Sequence, residues 1–406
     1  MGLQEVATAD RIHISVFGAR NAGKSSLVNA LTGQKVSIVS DTPGTTTDAV
    51  HKTMELLPLG PVVITDTAGY DDEGELGRQR MEQTRLTLYR TDLAILVLDG
   101  TRNQTAIRQQ LTSMLVQQSI PYVVVYNKLD QMGTVPVLQE NEIAVSAVTG
   151  EGIEALKEKL GSMHQMVQQD RNILADLISQ RDVIILVTPI DESAPKGRLI
   201  LPQQQTLREI LDCHAIPLLT QPQELPTLLE LLQTPPRMVI TDSQAFGEVN
   251  KCLPKDIPLT SFSILMARYK GFLDTAVEGV RALRRLQDGA KILIAEGCTH
   301  HRQCNDIGTV KLPKLLQALT GKQFAFSFTS GGTFPEDLSP YALVVHCGGC
   351  MRTEREMLWR MRCARAQGIP FTNYGIALAE CHGILHRSLM GECLLSHDSI
   401  HPETKE

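Results

Sequence analysis

The sequence predicts an α/β chain built from three successive units. Three observations carry that prediction. Residues 11–160 alternate short β-branched runs with helical patterns, and a glycine-rich loop joins the first run to the first helix. Ten of the twenty prolines fall between residues 169 and 270. Seven of the nine cysteines fall after residue 297, where apolar runs lead directly into cysteine-bearing loops. With 406 residues the chain exceeds a single core at ~150 residues per domain. The expected units are 1–168, 169–270 and 271–406.

In the first unit, Ile12–Phe17, Val62–Asp66, Leu93–Leu98 and Tyr122–Tyr126 read as buried strands, and Ser25–Leu31, Arg78–Leu88 and Ala106–Gln117 as helices. Strands alternating with helices give a mainly parallel sheet covered on both faces. Residues 153–180 continue as polar helices and form a bridge. In the second unit, Val183–Val187 and Met238–Thr241 read as strands, and Gln205–Leu211 and Leu225–Leu232 as helices. This is a small α/β domain with Pro-bounded connections. It lacks a catalytic motif, so oligomerisation is its expected role, and 169–270 is read as the dimerisation domain. In the third unit, Lys291–Ala295 and Leu343–Val345 are strands that run into cysteine loops. No sequence repeat is visible, and the polar tail 396–406 is expected to be mobile.

Composition narrows the function. Apolar residues make up 42% and charged residues 21%, as in ordinary globular proteins. No apolar run approaches the ~20 residues that span a bilayer, and the N-terminus lacks a secretory pattern. A cytoplasmic protein without membrane contact is expected. The net charge is −6 and none of the three units is strongly basic, which argues against a nucleic-acid partner. Clustered cysteines in a chain without an export signal point to metal or redox chemistry.

Gly18-Ala-Arg-Asn-Ala-Gly-Lys-Ser25 has the form G-x4-G-K-[ST] between a strand and a helix. Its glycines let backbone N–H groups turn inward around phosphate oxygens, and the helix N-terminus adds positive partial charge. Lys24 can reach the β- and γ-phosphates, and Ser25 offers an oxygen to Mg²⁺. Asp66-Thr-Ala-Gly69 follows the strand ending at Thr65 and brings a carboxylate near that metal. In Asn127-Lys-Leu-Asp130 the aspartate can accept from guanine N1–H and N2–H₂, a donor pair that adenine lacks, so GTP is the expected ligand. Ser146-Ala-Val-Thr-Gly150 can touch the guanine O6. The nucleotide residues are thus Gly18, Asn21, Ala22, Gly23, Lys24, Ser25, Ser26, Asn127, Lys128, Asp130, Ser146 and Ala147.

These motifs in this order resemble the translation-factor-related GTPases. By that resemblance Asp41-Thr-Pro-Gly-Thr-Thr-Thr-Asp48 is the first switch and Thr46 joins Ser25 on Mg²⁺. Lys24, Thr46, Asp66 and Gly69 form the expected hydrolytic set. Tyr70 stands where Ras-like proteins place a water-orienting glutamine, so that device is absent. Asn21 resembles the GxxNxGKS asparagine of potassium-activated GTPases such as MnmE and Der, which implies a K⁺ beside the phosphates and hydrolysis faster in K⁺ than in Na⁺.

Gly297-Cys-Thr-His-His-Arg-Gln-Cys304 and His346-Cys-Gly-Gly-Cys350 give Cys-x-His, 45 intervening residues, then His-Cys-x2-Cys. A C-x2-C loop brings two thiolates to one centre, and Gly348-Gly349 permits the turn. Three chemistries fit: a Cys₃His zinc, a [4Fe–4S] cluster on three cysteines, or a redox thiol pair. Spacing favours metal over thiol chemistry and does not separate iron–sulfur from zinc. Glu296 reads as solvated, though a candidate iron ligand. Arg352, Arg355, Arg360, Arg362 and Arg365 read as a solvated helix face, or else as attractors of an anionic cargo. Cys304, Cys363, Cys381 and Cys393 read as small hydrophobes.

The phosphate loop with Asn21, the Pro-rich middle unit and the terminal CxH…HCxxC arrangement together resemble the HydF family, GTPase maturation proteins of [FeFe]-hydrogenase. The resemblance spans essentially the whole chain. It implies that Cys298, Cys347 and Cys350 bind a [4Fe–4S] cluster, with His300 or His346 as an exchangeable ligand. It further implies a homodimer that carries a diiron precursor with CO and cyanide ligands to apo-[FeFe]-hydrogenase, working with the radical-SAM maturases HydE and HydG. Two rival readings remain: an RNA-associated GTPase with a C-terminal zinc site, and an electron-transfer enzyme with GTP as regulator.

Overall fold

The computed structural model describes residues 11–33, 50–67, 69, 70, 84, 86–134, 137–167, 171–190, 199–297, 306–390 and 393–395. Thr46 and the first-switch segment, most of the second-switch region, and Cys298, His300 and Cys304 lie outside them, as does most of the expected helix Arg78–Leu88. The chain divides into two units, Met1–Asp170 and Arg171–Glu406.

The first unit holds a six-stranded sheet of β1 (Ile12–Gly18), β2 (Val50–Leu56), β3 (Gly60–Asp66), β4 (Leu93–Asp99), β5 (Tyr122–Asn127) and β6 (Glu142–Ala144) in the order β2-β3-β1-β4-β5-β6. All pairs are parallel except β2–β3. Helices α1 (Lys24–Thr32), α2 (Thr105–Gln117) and α3 (Ile153–Val167) accompany it. Every residue of β4 is buried, as a central strand covered on both faces requires. One face carries Ile14, Val16, Ile64, Ile95 and Val97 with Leu27 and Leu31 of α1. The other carries Phe17, Leu96 and Leu98 with Leu111 and Leu115 of α2. The loops after β1, β3, β5 and β6 all leave the carboxyl edge of the sheet, where ligands bind in open α/β folds.

The second unit contains two four-stranded parallel sheets. The first comprises β7 (Val183–Val187), β8 (Ile216–Thr220), β9 (Met238–Thr241) and β10 (Leu259–Ser261), ordered β10-β9-β7-β8. Its helices are α4 (Leu201–Asp212), α5 (Leu225–Leu231), α6 (Phe246–Cys252) and α7 (Phe262–Tyr269). Next comes α8 (Leu273–Ala282). The second sheet comprises β11 (Lys291–Ala295), β12 (Ala325–Thr329), β13 (Leu343–His346) and β14 (Phe371–Asn373), ordered β12-β11-β13-β14. Its helices are α9 (Leu312–Thr320), α10 (Glu354–Ala366), α11 (Tyr374–Cys381) and α12 (Leu385–Ser388). One continuous apolar core runs through both sheets, from Ile184 and Ile240 to Ile294 and Val345.

The two sheets are topological copies. In each, the first strand is central, the second is an edge, and the third and fourth follow on the other side. The fourth strand of each ends on a helix cap: Ser261 accepts from the Ile264 N–H at 3.3 Å, and Asn373 from the Ile376 N–H at 2.9 Å. The copies meet reciprocally. A Cβ on Gly348, two residues beyond β13, would lie 3.0 Å from Ser263 Oγ of α7. A Cβ on Gly375 of α11 would lie 3.1 Å from Ser243 Oγ, two residues beyond β9. The repeat is therefore one of topology rather than sequence, because packing constrains which face is apolar and not which residue supplies it.

Candidate functional site

The nucleotide motifs converge at the carboxyl edge of the six-stranded sheet. Gly23 caps α1 with φ +89°, and a Cβ there would lie 2.2 Å from Asn127 Nδ2. Only glycine fits that left-handed position against the asparagine. Lys24 is buried, and its Nζ donates to the carbonyls of Gly18 at 3.1 Å and Ala19 at 2.8 Å, which holds the ammonium across the loop. Ser25 Oγ donates to Asp66 Oδ2 at 2.5 Å, so the two oxygens expected near Mg²⁺ are adjacent. Asn21 sits at the exposed tip of the loop with φ +61°. Gly69 packs against Arg20, and the Tyr70 N–H donates to the Gly18 carbonyl at 3.3 Å. Tyr70 Oη points to Met114 Sδ at 3.5 Å rather than offering an amide to a water.

The base-recognition residues are tied to one another. Asn127 Nδ2 donates to the Ala22 carbonyl at 3.0 Å, and its Oδ1 accepts from the Ala147 N–H at 3.1 Å. Ser146 Oγ donates to Asp130 Oδ1 at 2.6 Å, and that bond is the main cause holding the Asp130 carboxyl below its ordinary range. Lys128 Nζ contacts Asp99 Oδ2 at 2.6 Å. An ionised Asp130, oriented by a serine, is what acceptance from two guanine donors requires. These residues fit a guanine nucleotide with a Mg²⁺ beside Ser25 and Asp66.

In the second unit the cysteine motifs leave β11 and β13, the two adjacent strands at which the order of the sheet reverses. Such a switch point opens a crevice at the carboxyl edge. Cys347 Sγ accepts from the Gly297 N–H at 3.0 Å and from the Gly349 N–H at 3.4 Å. Gly297, the last described residue before Cys298, is thus held against this sulfur. Gly349 holds φ +64°, as the CxxC turn needs. Burial pushes both the Cys347 and Cys350 thiols up, which disfavours free thiolates and is reversed by coordination to a metal. Amide donors aimed at a cysteine sulfur suit an iron–sulfur ligand. Among the described residues no group of three or more His, Cys, Asp or Glu side chains converges to hold a metal ion. Cys298 and His300, which the sequence motifs set beside Cys347 and Cys350, lie outside the described residues.

Two expectations are corrected here. Glu296 is 3% exposed, not solvated, because β11 carries it into the core, where Tyr374 Oη donates to its Oε1 at 3.3 Å. The arginines after the CxxC loop do not form one solvated face. Arg360 is 0% exposed, and Arg352 bridges the Gly297 carbonyl and Glu356. Only Arg362 and Arg365 of the five are exposed. Both nitrogens of His346 are engaged. Arg360 Nη1 lies 2.9 Å from Nε2 and can only donate, so Nε2 accepts and Nδ1–H donates to the Cys347 carbonyl at 2.8 Å. Burial, then the Arg360 charge, lowers its pKa to about 3. His346 is thus buried and hydrogen-bonded at both ring nitrogens.

Lys270 is a site residue that the motifs do not reveal. It lies just beyond α7, 79 residues before Gly349, and only the packing of the two sheets brings it to the CxxC loop.

Comparison with known families identifies the modules. A family model described as 50S ribosome-binding GTPase matches residues 13–128. Models described as Hydrogen maturase F dimerization domain and Hydrogen maturase F tetramerization domain match residues 173–271 and 274–391. The chain belongs to the HydF family. As a HydF chain it carries an N-terminal GTPase domain followed by two oligomerization modules, and the α/β class expected from sequence is the one observed. The HydF boundary at 271–274 falls between the two topological copies.

Among curated proteins, the tRNA modification GTPase MnmE of Xanthomonas euvesicatoria pv. vesicatoria is 40% identical over 156 residues, 38% of this HydF chain and 34% of that protein. The Xylella fastidiosa MnmE is 39% identical over 160 residues, again 38% and 34%. The chain spans about a third of the length of these relatives, and the matches cover only the GTPase domain. Among solved structures, NFeoB from S. thermophilus bound to GDP.AlF4− and K⁺ is 23% identical with TM-score 0.32, covering 39% of this chain and 64% of that one. Aquifex aeolicus Era is 16% identical with TM-score 0.34, covering 88% and 98%. Among the described residues no helix is long and apolar enough to cross a membrane.

Proposed function

We propose that this GTPase is a carrier that holds a [4Fe–4S] cluster on Cys298, Cys347 and Cys350 and delivers a diiron precursor to apo-[FeFe]-hydrogenase. Residues 1–168 form the GTPase unit, 169–270 the dimerisation unit and 271–406 the cluster unit. The observation that carries the reading is that Cys347 Sγ receives two backbone amides, one from Gly349 in its own loop and one from Gly297, the residue before Cys298. Membership of the HydF family supports it. Three cysteines leave one iron with an exchangeable position, and that open site is the chemistry the cluster supplies to a carrier. The chain's own residues position the loops: Gly297 and Gly349 hold the sulfur, and Arg352 ties the first loop to the second.

In the GTPase unit Ser25 and Thr46 hold Mg²⁺, and Asn21 helps to hold K⁺. Lys24, Asp66 and Gly69 bind and orient the phosphates. GTP acts by ordering the switch segments, and loss of the γ-phosphate releases them to permit partner exchange. HydE and HydG are the expected cytoplasmic partners, and the carrier works as a homodimer.

The test is anaerobic iron, sulfide and zinc analysis, with EPR of the reduced protein, on wild type and Cys298→Ala. Iron and sulfide in wild type with an EPR signal altered in the variant support the carrier. Zinc in place of iron, or a cluster unaffected by Cys298→Ala, removes it.

A further inference from the structure

We infer that Lys270 is a positioning residue for the cysteine loop, which ties the dimerization module to the cluster site and favours the reduced cluster. The inference rests on the proposed three-cysteine site.

Lys270 caps the C-terminus of α7 and is 6% exposed. Its Nζ donates to the Gly349 carbonyl at 2.5 Å and to the Arg352 carbonyl at 2.7 Å. These two carbonyls flank Cys350, one residue before and two after. The ammonium therefore clips both ends of the short segment that presents this sulfur.

The topological repeat explains why a helix cap reaches the loop. His382, which caps α11 in the second copy, takes the corresponding place: a Cβ on Gly247 of α6 would lie 3.0 Å from its Cε1. Each copy thus sets the cap of the helix after its fourth strand against the segment after the third strand of the other. The contact follows from the repeat, whereas the lysine is particular to the side that meets the cysteines.

A neutral amide could bridge two carbonyls. An ammonium adds a full charge in a poorly solvated place, where that charge acts strongly on its surroundings. A cluster held through Cys350 would feel this fixed positive charge, which would stabilise its form with the extra electron. Residue 270 also falls within the segment matched by the dimerization model, so subunit association and the cluster share a covalent and hydrogen-bonded connection.

The test compares wild type, Lys270→Arg, Lys270→Met and Lys270→Gln after anaerobic reconstitution, by iron and sulfide content, EPR and redox titration. Lys270→Arg should keep the wild-type midpoint potential. Lys270→Met should shift it to lower potential and alter the EPR g-values. Lys270→Gln, which retains a donor, should keep cluster content yet show the same downward shift. Wild-type potentials in both neutral variants overturn the inference. Unfolding of both neutral variants beside an intact Lys270→Arg also overturns it, since Lys270 would then serve the core alone. A wild-type protein without iron fails the cluster reading itself, a separate result seen before any variant is compared.

Discussion

The side-chain amide of Asn127 donates to the carbonyl of Ala22, 3.0 Å away, and so joins the guanine-recognition strand to the phosphate loop. Its carbonyl oxygen accepts from Ala147 at 3.1 Å, which adds the third nucleotide loop. One buried side chain therefore sets the distance between the places where base and phosphates bind.

Replacing Asn127 with alanine should loosen all three loops. Each hydrogen bond contributes about 1 kcal/mol net, so two amount to about 2 kcal/mol. Nucleotide affinity should fall by roughly 10- to 30-fold, since 1.4 kcal/mol is a factor of ten. Calorimetric titration with GDP measures it. An unchanged Kd would show that the loops are held without Asn127.

Asn21 leads to a prediction about ions. Its exposed place at the loop tip, in a left-handed backbone conformation, leaves the side chain outside the fold's own core. If its oxygen helps to hold a cation against the phosphates, turnover should be faster in KCl than in NaCl, and Asn21→Ala should remove the difference. Phosphate release at matched ionic strength is the measurement. Equal rates in the two salts for wild type would exclude the role.

The nucleotide site was legible because its chemistry is local: each motif directly follows a strand, so reading the strand places the loop. The apolar runs at β4 and β5 were equally plain. The short strands were not. β10 and β14 contain three residues each, too few for a periodicity, and β8 carries Pro217 within Ile216–Thr220. The cysteines announced a centre, but the surroundings of that centre are non-local. Arg360 looks like one of five surface arginines until α10 is docked on the second sheet, and Lys270 is distant in sequence from the loop it holds. Long-range packing, not residue type, decided which charges were buried.

Asp99 makes a prediction about pH. Burial alone would raise its carboxyl, but hydrogen bonds from Lys128 and Thr101 outweigh burial and leave the pKa lowered. A depressed pKa contributes stability above the unfolded value of about 3.9, and that contribution is lost as pH falls through the folded value. The melting temperature of wild type should therefore drop more steeply than that of Asp99→Asn as pH is taken from about 6 toward 3. Parallel curves would show that the ion pair with Lys128 has no net effect.

Arg360 should be the most sensitive charged position in the second unit. Its guanidinium donates to His346 Nε2 at 2.9 Å, to the Gly331 carbonyl at 2.9 Å and to Glu356 Oε1 at 2.7 Å, and it lies 5.1 Å from the centre of the Phe334 ring. His346 and Glu356 are buried with it. Arg360→Met roughly keeps the volume but leaves a buried carboxylate short of a principal counterion and an imidazole nitrogen without its donor. Breaking a buried pair in this way costs about 3–5 kcal/mol. For a unit of this size that lowers Tm by roughly 6–20 °C, at about 2–4 °C per kcal/mol. Arg360→Lys keeps the charge but not the planar fork that meets three acceptors, so it should fall between the two. Differential scanning calorimetry distinguishes these cases. A methionine variant as stable as wild type would mean that the network serves only orientation. The double variant Arg360→Met, Glu356→Gln should recover part of the loss, because it removes the stranded charge while leaving His346 unpaired.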